Sequence, residues 1–225
     1  MATVRLYVHA ALSEGQPVAL TRDQAHYLFG VMRLSAGDVL HVFDGRTGEW
    51  RAEVAVADRR GGALLCRERT RPLRSPPDLW LLFAPVKKAR TDFIVEKAVE
   101  MGAARLLPVV TEFTNAERVR RDRLQAHAVE AAEQCGATVV PEVAEAARLD
   151  RVLAGWPAGR RLYWADETAS GGPAFAEAGP AAILTGPEGG FSAAERDRLR
   201  ALPFVSPLAL GPRILRADTA AVAAL

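Results

Sequence analysis

The fold of this chain is decided by the stretch Ile183-Leu184-Thr185-Gly186-Pro187-Glu188-Gly189-Gly190-Phe191-Ser192. It reads as the end of an apolar strand, a glycine-bearing turn and the start of a polar helix. The stretch Leu208-Ala209-Leu210-Gly211-Pro212-Arg213-Ile214-Leu215-Arg216 repeats that order nearer the carboxyl terminus. Because α/β folds build ligand pockets from loops at the carboxyl ends of strands, the two turns predict one shared pocket.

These glycine-bearing turns do not match the common nucleotide-binding motifs. No lysine follows Gly189 and Gly190, so the first turn is not a Walker A loop. The spacing G-x-G-x-x-G of a dinucleotide fold is also missing. A lone pair of glycines is also typical of a tight turn that binds no ligand. The presence of a second glycine-bearing turn favours the interpretation as a pocket. The residues alone do not name its ligand.

Composition places the chain among ordinary globular proteins. It has 225 residues, of which 49% are hydrophobic and 25% charged. There is no run of eighteen apolar residues and no signal-peptide layout at the amino terminus, so we expect no membrane segment and a cytoplasmic location. Cys66 and Cys135 are too few and too far apart for a disulfide framework or a zinc site. We therefore expect no metal.

Arginine dominates the basic residues. Lys87, Lys88 and Lys97 are the only lysines among 29 cationic residues. A GC-rich genome explains this bias, and phosphate recognition by planar guanidinium groups is the sharper alternative. Local clustering gives that alternative modest support in one stretch: Arg51, Arg59, Arg60, Arg67, Arg69, Arg71 and Arg74.

The first seventy residues predict a small β-barrel-like module. Short strands are expected at 4–8, 39–43, 50–56 and 63–66, with one helix from Arg22 to Met32 behind a Thr21 cap. Three prolines between residues 72 and 77 then form a stiff connector. We place the domain boundary there, with residues 1–72 in the first domain and 73–225 in the second.

After the connector, strands alternate with helices. Strands are expected at 79–86, 106–110, 161–164, 181–185 and 204–210, and helices at 91–101 and 122–135. A capping box at Ser192 and Glu195 starts a further helix. This alternation predicts an α/β fold with a mostly parallel sheet and helices on both faces.

Several motifs in register resemble the RsmE family. The two glycine-bearing stretches quoted above carry most of the resemblance, and it spans nearly the whole chain. His26-Tyr27-Leu28 with Arg33-Leu34 resembles the family's amino-terminal RNA-binding module, of PUA or OB-like character. Glu96-Lys97-Ala98 and Glu130-Ala131-Ala132-Glu133-Gln134 resemble two further blocks. The chain departs from the family at Phe113 and Ala137, where arginine is usual, and at Asp218, where glutamate is usual.

The resemblance implies an activity, a cofactor and an assembly. The family consists of SPOUT-class enzymes that methylate N3 of a uridine in 16S ribosomal RNA of the small subunit. A carboxy-terminal trefoil knot would bind S-adenosylmethionine (SAM), and a homodimer would complete the site. Carried onto this chain, the cofactor lies against backbone groups around Leu184, Gly186, Gly189, Gly190, Leu210, Gly211 and Ile214. The RNA-binding candidates are Arg5, Arg33, Lys88 and Arg213.

Methyl transfer to N3 also needs groups that act on the base. N3 of uracil carries a proton and is a poor nucleophile until that proton leaves. Arg213 or Arg216 would hold the uracil oxygens or a phosphate, and Glu188 or Asp218 would accept the proton or orient an arginine. The alternatives stay open here: Arg216 as a solvated cation at a helix end, and Asp218 as a helix cap.

Two other functions compete with this interpretation. One is a SPOUT enzyme that methylates another position, such as a ribose hydroxyl, and it would need no acceptor for the N3 proton. The other is a ribosome-assembly factor that binds RNA without catalysis. The intact glycine turns argue against the second, since a pure RNA-binding protein needs no cofactor pocket.

Overall fold

The computed structural model describes residues 4–58, 60–115, 119–169 and 179–225. The chain forms two compact units. The first contains the described residues up to Ser75 together with Ala132–Val140, and the second contains Pro76–Ala131 and Pro141–Leu225. The structure thus adds to the first unit a segment that follows the boundary expected from the prolines. Of the cluster of arginines noted above, Arg59 lies outside the described residues.

The first unit is built on a five-stranded sheet with the order β1-β3-β4-β5-β2. Its strands are β1 Arg5–Tyr7, β2 Pro17–Ala19, β3 Val39–Phe43, β4 Glu49–Asp58 and β5 Gly61–Arg71. The β1–β3 pair is parallel and the other pairs are antiparallel. Fully buried Leu28, Leu40 and Leu64 lie in its core. Strand β2 was missed because three residues are too short to show a period.

The helical segment of this unit differs from the sequence expectation. The Thr21 cap is confirmed, with a capping box to Gln24. Helix α1 is Arg22–Ala25, but the chain then continues as a π-helical turn over His26–Val31. The ring of His26 lies against Gly30, where a Cβ atom would come 3.0 Å from its Nδ1. The His26 side chain is exposed.

The second unit carries the parallel sheet, and its alternation of strands and helices is confirmed. Its strand order is β12-β10-β11-β6-β7-β8, with β9 also paired to β7, and every pair among the described residues is parallel. The strands are β6 Leu79–Phe83, β7 Arg105–Val110, β8 Glu142–Val143, β9 Ala147–Arg148, β10 Arg161–Ala165, β11 Ala181–Thr185 and β12 Val205–Leu208.

The helices of the second unit follow the strands. They are α2 Lys88–Glu100, α3 Arg121–Cys135, α4 Leu149–Ala154, α5 Ala193–Ala201 and α6 Ala217–Ala224. The last residues of α3, from Ala132 onward, are counted in the first unit. The predicted capping box of α5 is confirmed. Trp164 and Leu184 lie fully buried in the core against Phe191 and Leu199. Within the described part of the chain, no helix is both long and apolar enough to span a bilayer.

Prolines explain two features of this sheet. Pro207 lies in β12, which is an edge strand, and an edge tolerates a residue that donates no hydrogen bond. Pro108 lies in β7 between Leu106, which pairs with β8, and Val109, which pairs with β9. The proline therefore coincides with the gap between these two short partners of β7.

Candidate active site

Three neighbouring parallel strands end at one cleft. Ala165 ends β10, Thr185 ends β11 and Leu208 ends β12, and β10 lies between the other two. The segments that follow these strands line a cavity of about 340 Å³. That volume falls in the usual range for small-ligand sites. The carboxyl ends of the strands thus form the pocket that the two glycine-bearing turns predict.

The turn after β11 leaves no room for a side chain at Gly186. A Cβ atom on Gly186 would lie 2.7 Å from Cε2 of Phe191. The Phe191 ring in turn packs edge-on against Trp164, with 5.7 Å between the ring centroids. Gly190 has φ +69°, a left-handed conformation that glycine adopts without strain. Gly186, Glu188 and Gly190 line the cleft. The backbone of this turn is therefore open to a bound molecule.

The turn after β12 forms the facing wall. Leu210, Gly211, Arg213, Ile214 and Arg216 line the cleft. Gly211 has φ +99°, so here too the chain direction depends on glycine. Ile214 is 81% exposed at the cleft, so its side chain is available to cover a ligand. Arg216 stands at the amino-terminal cap position of α6.

A third wall was missed by the sequence analysis. Asp166 and Glu167 directly follow β10 and line the cleft. Asp166 is only 3% exposed and accepts hydrogen bonds from the Thr168 N–H at 3.0 Å, the Thr168 hydroxyl at 2.8 Å and Arg196 Nη1 at 2.9 Å. Burial raises the pKa of Asp166, but the Thr168 hydrogen bonds and the charges of Arg196 and Arg200 outweigh it, so the pKa is lowered. An acidic pair just after a buried strand was the available signal.

Arg90 was also not recognised as a cleft residue. It lies in the first turn of α2 and lines the cavity. Its Nη1 donates to Glu188 Oε1, and its Nε lies 3.8 Å from Asp218 Oδ2. The two candidate carboxylates, 30 residues apart in the sequence, thus meet at one guanidinium group. No periodic pattern links α2 to either of them.

The remaining cofactor candidates lie beside the cleft. Leu184 is fully buried in the core, so its backbone rather than its side chain is the relevant group. A Cβ atom on Gly189 would come 3.3 Å from Cβ of Phe113, which places this family departure beside the glycine turn. Lys88 is the exposed first residue of α2. The structure therefore gathers most of the predicted cofactor residues around one cavity.

In the first unit, the Arg5 guanidinium is occupied by internal partners. It donates to Glu49 at 2.7 Å and to the carbonyl oxygens of Ala132, Glu133 and Ala137 at 2.7, 2.8 and 2.8 Å. These bonds tie β1 to the segment 132–140. Arg5 therefore has a structural role within this unit that the sequence analysis did not predict.

The other basic candidates of the first unit differ in their surroundings. Arg33 is exposed and has φ +59°, a conformation in which non-glycine residues are uncommon. In the arginine cluster, Arg51 pairs with Glu68 and Arg67 with Glu53, each at 2.8 Å. Arg71 pairs with Glu49. Part of the basic surface is thus neutralised within the sheet.

The cleft suits a sulfonium cofactor such as SAM. The glycine turns give close access to backbone groups, and Ile214 and Leu210 offer apolar surface. The carboxylates of Asp166, Glu167 and Glu188 also line the cleft, and each is paired with an arginine of the same lining, Arg196 or Arg90. Across the described residues, no group of three or more histidine, cysteine or acidic side chains is placed to hold a metal. The open glycine backbone and the apolar side chains of the cleft are the features that fit an organic cofactor.

Two family patterns match this chain. The pattern described as an RNA methyltransferase domain matches residues 73–225, and the one described as an RNA methyltransferase PUA domain matches residues 20–63. Fold, cleft and matches together define the class: this is a SAM-dependent RNA methyltransferase with an amino-terminal PUA domain.

Curated relatives narrow the class. A ribosomal RNA small subunit methyltransferase E from Synechocystis is 33% identical over 92% of this chain and 71% of that protein, and one from Rickettsia conorii is 25% identical over 98% and 93%. The chain belongs to the ribosomal RNA small subunit methyltransferase E family.

Solved structures agree with this assignment. The Neisseria gonorrhoeae member of the family, bound to S-adenosyl methionine, has a TM-score of 0.88 at 26% identity and covers 99% of this chain and 94% of its own. A Legionella pneumophila protein in complex with SAM has a TM-score of 0.91 at 26% identity. The match covers 100% of this chain and 96% of the Legionella chain.

Proposed function

We propose that this protein transfers a methyl group from SAM to N3 of a specific uridine in 16S ribosomal RNA of the small subunit. We further propose that it acts in the cytoplasm as a homodimer, with the carboxy-terminal part of residues 73–225 knotted and residues 1–72 as the RNA-binding domain. The observation that carries the activity is the cleft at the ends of β10, β11 and β12, lined by glycine turns and acidic side chains. Relatives named for small-subunit RNA and neighbours bound to SAM support it.

When bound, SAM supplies an electrophilic methyl group on a positively charged sulfur. The chain's own task is to hold donor and base in line, and such alignment is worth roughly 7–11 kcal/mol in favourable cases. The backbone around Gly186, Gly190 and Gly211 would hold the cofactor. Leu210 and Ile214, which line the cavity, would exclude water from the bound cofactor.

The charged residues would act on the uracil ring. Arg213 and Arg216 are exposed at the cleft and would donate hydrogen bonds to the ring oxygens as charge develops there. Glu188 or Asp218 would take the N3 proton. N3 lies on the pairing edge of the base, so the uridine must be unpaired or extruded at a cost of a few kcal/mol.

The contacts with RNA phosphates are assigned to Arg33 and Lys88, which are exposed, and to the exposed Arg213 at the cleft. Arg5 stays on the list of RNA-binding candidates, although its internal hydrogen bonds favour a structural role. Each phosphate contact that is truncated should lower the slope of log affinity against log salt by about 0.7–0.9. Unchanged slopes in Arg33, Lys88 and Arg213 variants would remove these residues from the assignment.

The decisive experiment uses labelled SAM and small subunits from cells that lack the enzyme. We expect one labelled uridine, and a full stop of reverse transcription there, because an N3 methyl blocks pairing. A mere pause would indicate ribose methylation, and SAM binding without transfer would indicate an RNA-binding factor. Arg216→Ala should lower the rate by about 10²-fold, as loss of one charge-stabilising donor does elsewhere. The exposed Arg151→Ala on α4 serves as the control.

A further inference from the structure

The amino terminus of α2 has an unfavourable arrangement of charge. Lys87 is its cap residue, Lys88 and Arg90 lie in the first turn, and no acidic residue accompanies them there. The first turn of a helix carries partial positive charge and favours anions. The Lys87 side chain provides no capping hydrogen bond either. Local rules broken in this way are typical of positions kept for function.

The compensating charges for Arg90 come from two distant parts of the second unit. Glu188 lies in the turn after β11, and Asp218 lies in the first turn of α6. Arg90 Nη1 bonds to Glu188, while Arg90 Nε faces Asp218 Oδ2 at 3.8 Å. The side chains of Arg90 and Asp218 are 32% and 19% exposed, so this contact is shielded more than a surface ion pair.

A guanidinium group is suited to this double role. Its N–H groups point in fixed and different directions, so one side chain can bond to Glu188 on one side and face the charge of Asp218 on another. An ammonium group is a point charge on a flexible stem and does not fix both at once. Position 90 follows two lysines, Lys87 and Lys88, but is itself an arginine. The geometry of the guanidinium group gives a reason for that difference.

Arg90 also controls which arginines remain available. Glu188 lines the same cleft as the exposed Arg213 and Arg216. Without Arg90, the Glu188 carboxylate would be free to pair with either of them and so compete with RNA. With Arg90 in place, Glu188 already has a cationic partner.

We propose that Arg90 is a positioning residue that holds Glu188 at the cleft, with Asp218 of α6 as its second charged partner, and thereby keeps Arg213 and Arg216 free for the RNA substrate. This inference rests on the proposed function. It assigns to α2 a part in the site that the glycine turns alone do not predict.

The test is a double-mutant cycle in the full-length protein. Arg90→Gln should lower kcat by about tenfold to a hundredfold, the effect of a small misplacement of reacting groups, with the Kd for SAM changed less than about threefold. Arg90→Lys should restore only part of the rate. The Glu188→Gln/Asp218→Asn background removes both candidate proton acceptors, so the thermal midpoint is its readout. There Arg90→Gln should lower the midpoint little further, because its targets are already gone. Lys97→Gln on the same helix, which breaks a pair with Glu100, is the control.

Each outcome has a defined reading. A wild-type rate in Arg90→Gln, or an equally large loss of thermal midpoint in both backgrounds, would overturn the proposal. Thermal midpoints of the same variants give a readout independent of catalysis. The thermal midpoint of the double variant Arg90→Gln/Glu188→Gln should fall by less than the sum of the falls in its two single variants. Strict additivity would also overturn the proposal. If the wild type methylates no small subunit while the midpoints of the variants are non-additive, the proposed function fails and the positioning role of Arg90 stands.

Discussion

Asp166 Oδ1 accepts a hydrogen bond from Arg196 Nη1 at 2.9 Å, and this pair connects the loop after β10 to helix α5. The same arginine reaches Glu167 at 2.7 Å and donates from Nε to the carbonyl oxygen of Phe191 at 3.1 Å. One side chain thus braces two of the loops that line the cleft. The brace is buried on the Asp166 side, where water does not compete strongly.

We therefore expect Asp166→Asn to weaken SAM binding. The amide keeps the shape but loses a charge that Arg196 and Thr168 are arranged to meet, and hydrogen bonds to charged groups are worth about 1.5–3 kcal/mol. Calorimetry should show a rise in the SAM Kd of about tenfold or more. Asp197→Asn, which changes the exposed neighbour on α5, is the matched control. An unchanged Kd for Asp166→Asn would show that the loop after β10 does not need the brace.

A substitution at Gly186 tests whether SAM binding depends on the shape of the cleft. Gly186→Ala places a Cβ atom 2.7 Å from the Phe191 ring, so the ring or the turn must move. We expect SAM affinity to fall at least about tenfold. Gly155→Ala is the control, because its nearest contact is an ordinary 3.9 Å and its φ is −101°. Phe191→Leu in the Gly186→Ala background should recover part of the affinity, and no recovery would place the damage elsewhere.

Glu49 makes the first unit sensitive to acid. Burial raises the pKa of Glu49, but hydrogen bonds and charges from Arg71 and Arg5 outweigh it and lower the pKa to about 2. Because the folded pKa is depressed, the stabilisation is fully present above the unfolded value near 4.5. It is lost as pH falls from there through about 2, and amounts to about 3 kcal/mol.

The comparison with Glu49→Gln isolates this effect. At pH 7 the variant should be less stable than the wild type by an amount of that order, and the difference should shrink as the pH approaches 2. Urea unfolding at several pH values measures it. Glu53→Gln, at a more exposed pair with Arg67, should show little such dependence. A difference that stays constant with pH would contradict the assignment.

Arg33 affects stability through its backbone conformation and RNA binding through its charge. Its φ of +59° costs a non-glycine residue of the order of 1 kcal/mol, so Arg33→Gly should raise the free energy of unfolding by up to about that amount. The same change removes a charge and should flatten the salt dependence of RNA binding. Arg33→Lys should keep both the strain and the slope. If Arg33→Gly is less stable than the wild type, the strain argument is wrong.

The sequence predicted the elements whose signal is local. The Thr21 and Ser192 caps and the alternation of strands and helices after residue 75 are all present. Strands β8 and β9, of two residues each, carry no such signal and were missed. The π-helical turn was read as a regular helix because its apolar residues fit either pattern over so short a span.

The sequence by itself determined the two glycine turns, their place after strands, and hence a cleft of the kind that holds a small ligand, since backbone conformation and strand periodicity are set by neighbouring residues. Only the tertiary structure decided that the loop after β10 forms a third wall, that Arg90 joins Glu188 to Asp218, and that Arg5 is held by Glu49 and backbone carbonyls. The physical reason is that ion pairs are made between groups far apart along the chain, and no local pattern records which of several arginines a carboxylate will meet.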